Sequence, residues 1–201
     1  MSIIVTFLGG ISQYLIEAKQ WFDELTNRCP HCEAKTHRHG QYLRTVWSEL
    51  SAFQIPIFRR YCPGCVRTFS YIPSFIKPYA RFLNSYRLHR IGCHVLEHVS
   101  INKAIRSLSP ASVTSISTTT FRRWLKRLRG IASDVNKHLI KRLLEFQPNL
   151  PLPSGRVTDL FFLLQTALKF HLRFCEISGV SADSLGVFDL LNLELPIALR
   201  I

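Results

Sequence analysis

Acidic side chains are scarce in this 201-residue chain. Asp and Glu number 13 against 26 Lys and Arg, a formal net charge of +13. The carboxylates after Gly130 are scattered and form no paired arrangement of the kind two-metal chemistry requires. Long apolar runs are missing too. The most apolar stretch, "LFFLLQTALKFHLRF", is interrupted by Gln165, Lys169, His171 and Arg173. It falls short of the roughly 20 residues that a membrane span needs. No basic region precedes "MSIIVTFLGG" and no small-residue cleavage site follows it, so a cytoplasmic protein is expected rather than a secreted one. There is no internal repeat. What the chain does have is 47% apolar residues, 14 of them Phe. That is enough for a real core and excludes general disorder.

The positive charge is concentrated. Residues 28–145 hold 21 of the Lys and Arg but only 5 acidic residues, a balance of +16, whereas the two flanks together carry −3. A basic block of this size calls for a polyanion, an anionic membrane surface or, as the better fit, nucleic acid.

Six cysteines in a cytoplasmic chain suggest metal rather than disulfides. Four of them form two C-x2-C pairs, "CPHC" with Cys29 and Cys32, and "CPGC" with Cys62 and Cys65. Two such knuckles joined by a β-hairpin can close a tetrahedral shell of four thiolates. The gap between the pairs, from Glu33 to Tyr61, is long for such a site but leaves room for two strands. A redox pair would open a helix in a βαβ setting, and neither pair does. Four thiolates leave no open coordination position, so one structural zinc is expected. His31, His37 and His39 are weaker rivals as ligands. Beside Lys35, Arg38 and Arg44 they read as solvated or phosphate-facing groups. Cys93 and Cys175 stand alone and read as small buried apolar residues.

Along the chain, "GGISQYLIEAKQWFDELTN" has helical spacing, with Ile11, Leu15, Ala18, Phe22 and Leu25 on one side. Residues 28–72 read as strands and turns, with Phe53, Ile55, Ile57 and Arg59 alternating with Gln54, Pro56, Phe58 and Arg60. Pro56 predicts an edge position. "PSFIKPYA" is a proline-punctuated connector. Beyond it, helical stripes cover about 82–98, 100–108 and 117–130, with Ser100 and Ser117 as N-caps. The third stripe either runs on through Leu139, Leu143 and Phe146 or breaks near Gly130. "SPASVTSI" is longer than an ordinary turn between the second and third helices. "QPNLPLPSG" is a linker, and a last helix is expected over 157–175.

The third helix is the informative one. In "STTTFRRWLKRLRG", Phe121, Trp124, Leu125 and Leu128 share an apolar side. Thr119, Arg122, Arg123 and Lys126 fall opposite. One side anchors the helix in a core, and the other presents groups able to meet base edges and phosphates in a major groove. Lys126, Arg38, Arg44, Arg59 and Arg60 are expected mainly on phosphate. The last helix, with Leu160, Leu163, Leu164, Ala167, Leu168 and Phe174 on one side and further Phe around it, must be covered. Either it folds back on the chain or it pairs two chains as a homodimer.

The stretches "CPHC", "RRYCPGCVRTFS", "YIPSFIKPYARF" and "TTFRRWLKRL" resemble the N-terminal half of zinc-ribbon transposases of bacterial insertion sequences. They also resemble a family of short transposase-related zinc-ribbon proteins of unassigned role. The likeness covers about residues 28–130. It implies recognition of element-end DNA by the ribbon's basic strands and by Thr119, Arg122, Arg123 and Lys126. It implies a bacterial, nucleoid-associated location. Such transposases continue into a large RNase H-like catalytic domain, for which the stretch after Gly130 is too short.

The sequence thus predicts an α+β protein. A lead-in strand and helix (1–27) come first, then a small β zinc ribbon (28–72). A mainly helical helix-turn-helix module (82–146) follows, and then a C-terminal helical segment for packing or dimerisation (156–201). The expected function is non-catalytic, zinc-stabilised binding of double-stranded DNA in the context of a mobile element, as accessory factor, repressor or remnant. The alternatives are a non-catalytic subunit working with a transposase or nuclease partner, and an RNA-binding ribbon in a ribonucleoprotein, for which Tyr42, Trp47, Phe53 and Phe58 would be platforms.

Overall fold

The alternating segments and helical stripes become four strands and six helices in a computed structural model, which describes residues 2–106, 116–196 and 199. In chain order these are β1 (Ser2–Val5), α1 (Ile11–Glu24), β2 (His37–Trp47), β3 (Ala52–Cys62) and β4 (Arg67–Pro73). Then come α2 (Asn84–Val95), α3 (Ile101–Ile105), α4 (Thr118–Phe146), α5 (Leu160–Ser178) and α6 (Val187–Glu194). The class is α+β. The strands form one mixed sheet in the order β1-β4-β3-β2. β1 runs parallel to β4, and the other pairs are antiparallel. The long segment "SPASVTSI" falls almost wholly outside the described residues, as do the last two residues of the second expected helix.

β3 is interior to the sheet only from Phe58 onward, and Pro56 keeps the edge position expected for it. The physical reason for its tolerance is local. Pro56 pairs with Leu43 of β2 on one side, while β4 joins β3 only from Phe58 onward. Over Pro56 the outer side of β3 is therefore open, and a missing N–H there breaks no ladder. The Pro56 carbonyl on that side accepts a 2.8 Å hydrogen bond from the Tyr14 hydroxyl.

That bond also turns α1. The inward residues are Tyr14, Ala18 and Phe22, whereas Leu15 is 42% exposed. The buried stripe lies one residue to the side of the predicted one. Tyr14 wins the inward place because its ring joins Phe7 and Phe75 edge-on, at centroid distances of 5.1 and 5.2 Å. Its hydroxyl still finds a partner there. Burial pushes the Tyr14 phenol well above its ordinary pKa.

Ser100 and Ser117 cap α3 and α4, accepting from the N–H groups of Lys103 and Thr120. Gly130 does not break α4. It is exposed, and the stripe Leu125, Leu128, Ala132, Val135, Leu139 and Leu143 stays buried across it. Continuous burial outweighs the roughly 1 kcal/mol that glycine costs in a helix interior. α5 folds back onto α4, burying Leu160, Leu163, Leu164, Ala167 and Phe170. Leu168 and Leu172 stay outside, 36% and 56% exposed. α6 closes against α2 and β1, where Asn84 donates to Asp189 at 2.9 Å. One continuous apolar cluster runs from Ile4 in the sheet to Leu195 after α6. Among the described residues no helix is long and apolar enough to cross a membrane.

Candidate metal centre and basic helix face

The two cysteine knuckles are built alike. Each is Cys-Pro-x-Cys, followed by a residue in the left-handed region: Glu33 at φ 57° and Val66 at φ 54°. The first is closed by the Glu33 N–H on the Cys29 carbonyl (2.9 Å) and by the Cys29 N–H on the Ala34 carbonyl (2.9 Å). Gly64 lies against the other knuckle with room for little more than a methyl. A Cβ there would stand 3.4 Å from both Cys32 Sγ and the Ala34 methyl. The first knuckle leads into β2. The second links β3 to β4, so the β2–β3 hairpin sets the two knuckles face to face.

The four sulfurs of Cys29, Cys32, Cys62 and Cys65 lie within 4.8 Å of one another. Cys29 and Cys65 are 3.7 Å apart, and Cys32 and Cys62 are 3.6 Å apart. A tetrahedral ion with Zn–S bonds of about 2.3 Å puts its sulfurs about 3.8 Å apart. The quartet therefore fits such an ion. The N–H of His31 points at Cys29 Sγ and that of Cys65 at Cys62 Sγ, both at 3.4 Å. Such donors favour thiolate sulfur. Cys29 and Cys62 are buried, Cys65 is half-buried and Cys32 is exposed.

The protonation of the quartet makes the same point. Burial opposes ionisation of Cys29, but N–H groups from His31 and Cys32 and the thiols of Cys62 and Cys32 outweigh it and bring Cys29 down to about 7. Cys65 is pushed up to about 12, first by its hydrogen bond with Cys32 and then by burial. Ionisation of Cys29 is thus favoured, while Cys62 and Cys65 are held toward the thiol. A divalent cation supplies the charge that lets all four ionise. The cysteines can hold a metal ion and suit zinc. His37 and His39 are exposed strand residues, and His31 lies along Phe69 with ring centroids 5.9 Å apart. None of the three joins the cluster. Cys93 and Cys175 are buried, at 3% and 8% exposure.

The predicted nucleic-acid residues separate into two groups. Thr119, Arg122, Arg123 and Lys126 are all exposed on the first turns of α4, while Phe121, Leu125 and Leu128 on the same turns are buried. Trp124 is half-buried, edge-on to Phe82 at 5.5 Å. The arginines of the sheet are mostly occupied. Arg60 is 6% exposed. Its guanidinium lies 4.6 Å from the Phe22 ring and donates to the carbonyls of Phe22 and Leu25 at 3.3 and 3.4 Å. It neutralises the carbonyl end of α1, where a cation is favoured, and so cannot reach a phosphate. Arg44 donates to the carbonyls of Lys77 and Ala80 at 3.3 and 2.5 Å and is half-buried. It pins the connector. Arg38 is paired with Asp23 but stays 57% exposed. Arg59 is half-buried on β3 beside Ser70 of β4.

Sequence reasoning passed over Lys77, Arg81, Arg87 and Arg127, which gather around one cleft at the foot of α4. The signal was present in "KPYAR", where cations and an aromatic ring sit on a proline-stiffened connector. It reads as a surface linker until the fold brings Arg87 and Arg127 beside it.

Fold and site together define an α+β protein with a four-cysteine cluster able to hold a metal ion, beside a helical unit bearing a basic face. Residues 29–124, from the first cysteine to Trp124 of α4, match the family model described as a domain of unknown function (DUF6431). No curated protein and no solved structure matches the chain.

Proposed function

We propose that this chain is a non-catalytic DNA-binding protein whose β module is a zinc ribbon and whose α2, α3 and α4 act as a helix-turn-helix. The observation that carries the reading is the two-sidedness of α4. Its N-terminal turns bury Phe121, Leu125 and Leu128 and leave Thr119, Arg122, Arg123 and Lys126 exposed together. In this reading Arg122 and Arg123 pair with base edges, Thr119 meets a thymine methyl and Lys126 neutralises a phosphate. Zinc in the cysteine quartet holds the β2–β3 hairpin rigid. Arg59 and Arg38 extend the phosphate contacts. The resemblance to transposase N-terminal halves makes the ends of a mobile element the natural target and a catalytic transposase the natural companion.

The test is selection of a preferred duplex from a random pool, followed by variant binding. Losing either base-reading arginine costs about 1–3 kcal/mol on the selected site and relaxes preference at one position. Arg59→Ala weakens all sequences alike. If Arg122→Ala with Arg123→Ala leaves the preference unchanged, α4 is not the reading helix.

A further inference from the structure

The cleft at the foot of α4 encloses about 740 Å³, between the 77–82 connector and the helix start. This is within the range of small-molecule sites, roughly 300–1,000 Å³. Four cations line it, namely Lys77, Arg81, Arg87 and Arg127, and among the described residues no carboxylate does. Four aromatic residues, Trp47, Tyr79, Phe82 and Trp124, complete its walls. The combination of cations and flat rings in one cavity suits a ligand that carries both negative charge and an aromatic plane.

The walls are fixed before any ligand arrives. The Trp47 N–H donates to the Arg81 carbonyl at 2.7 Å, and the Leu83 N–H to the Trp47 carbonyl at 3.0 Å. Arg44 clamps the connector from below through the carbonyls of Lys77 and Ala80. Arg87 is 4% exposed, with its guanidinium 5.3 Å from the Trp124 ring. The local field is strongly positive. Burial, with Arg127 and Arg87 nearby, brings the Lys77 ammonium down to about 7. Burial and Arg127 bring Arg87 to about 10. The N-terminus of the 29-residue α4, at Ser117, faces the same space and adds partial positive charge.

Tyr79 gives the second clue. Its backbone is in the left-handed region, at φ 63°, where a bulky residue is out of place. Its side chain is 88% exposed. The fold thus holds an aromatic ring at the lip of the cleft at a conformational cost. A second depression of about 630 Å³ shares Trp47, Tyr79 and Arg81 with the cleft and continues along β2 past Tyr42. The two depressions lie side by side, with Trp47, Tyr79 and Arg81 as their shared wall.

We propose that the cleft is a nucleotide subsite in which Lys77, Arg81 and Arg127 hold a phosphate while Tyr79 and Trp47 take its base. The neighbouring depression beyond Tyr79 suits a nucleotide that belongs to an unpaired strand, with the next base beside β2. Stacking on aromatic rings in a basic groove is how single strands are held without base-pair readout. At the start of α4 the cleft residues Ser117, Thr120, Trp124 and Arg127 lie nearly half a turn around the helix from Arg122 and Lys126, with Arg123 between the two sets. The subsite therefore does not depend on α4 entering a duplex groove.

The experiment is quenching of tryptophan fluorescence in the full-length protein, where Trp47 and Trp124 report on the cleft. The probes are a short 5′-phosphorylated single-stranded oligonucleotide, 5′-AMP, adenosine and pyrophosphate. The oligonucleotide binds tightest and 5′-AMP follows. Adenosine and pyrophosphate, each lacking half of the recognised chemistry, bind at least tenfold more weakly than 5′-AMP. Tyr79→Gly removes an exposed ring and relieves the backbone, and it weakens the strand about fivefold to a hundredfold, the range of one stacked base. Arg81→Gln with Arg127→Gln does the same, with the thermal unfolding midpoint unchanged. If 5′-AMP equals the strand, the subsite stands and its natural ligand is a free nucleotide. If pyrophosphate equals 5′-AMP, or if neither variant weakens the strand, or if the wild type binds no probe, the proposal is overturned. Arg122→Ala with Lys126→Ala separates the two readings. It removes duplex preference and leaves cleft binding intact.

Discussion

Serine in place of both Cys29 and Cys62 abolishes metal binding and the cooperative unfolding of the β module. The expected result is one zinc per wild-type chain and none in the double variant. Binding of structural zinc in small modules is worth on the order of 10 kcal/mol, as much as a whole domain's usual stability of about 5–15 kcal/mol. The positions make the loss severe. Cys29 and Cys62 are 1% and 0% exposed, so the variant buries two hydroxyls where it had two metal ligands. The β2–β3 hairpin, the second knuckle and β4 share the same ends, and all three loosen together. Metal analysis of purified protein, with thermal unfolding in the presence and absence of a chelator, checks the result. Cys93→Ser, outside the cluster, retains the metal. Full zinc in the double variant would overturn the assignment of the quartet.

Arg90→Ala produces the other large effect, on stability. Arg90 has no solvent exposure at all. It donates to Glu49 at 2.8 Å and to the carbonyls of Ala104 and Arg106 at 3.3 and 2.5 Å, and its guanidinium lies 5.1 Å from the Tyr86 ring. One side chain thereby fastens the β2–β3 turn, α2 and the end of α3. Truncation takes the guanidinium from Glu49, which is 27% exposed and also lies 3.9 Å from His89 Nε2, and removes the donor from two carbonyls. Breaking a buried pair from one side costs about 3–5 kcal/mol. Glu49→Gln keeps an acceptor oxygen in place and costs about 1–2 kcal/mol. Arg90→Lys does not rescue, because a single ammonium cannot span three acceptors set for a planar fork. Urea unfolding of the three variants measures the order. A loss below about 1 kcal/mol for Arg90→Ala would show that other contacts hold α3 in place.

Arg90 also shows where a sequence stops being legible. Charge pattern assigns arginines to the surface, yet Arg60 and Arg90 are buried because helix ends and a turn offer them carbonyls and a carboxylate. Those acceptors, Phe22, Arg106 and Glu49, are all distant along the chain. The N-caps at Ser100 and Ser117 were readable because a cap is a local event within a single helical turn. The cysteine quartet was readable because its spacing states the chemistry. The apolar side of α4 was readable from its period. The inward turn of α1 was not, since it depends on one hydroxyl reaching Pro56 across the sheet. The parallel pairing of β1 with β4, from Ser2↔Ser70 to Val5↔Pro73, depends on closing a loop that takes in α1, β2 and β3, and has no local signal. The cleft was hidden for the same reason. Lys77 and Arg81 lie in the connector, whereas Arg127 comes from α4, beyond α2 and α3 in the chain.

The central claim is that the exposed basic face of α4 binds double-stranded DNA. Its most direct test is the affinity of the full-length protein for a labelled random-sequence duplex, titrated at salt concentrations from about 50 to 200 mM. Several phosphate contacts release several counterions, so the account predicts a steep linear fall of log affinity with log salt, tenfold or more over that range. It also predicts a shallower slope and weaker binding for Arg122→Ala with Arg123→Ala and Lys126→Ala. Binding that is absent at the lowest salt, or that is the same in wild type and triple variant, would contradict it.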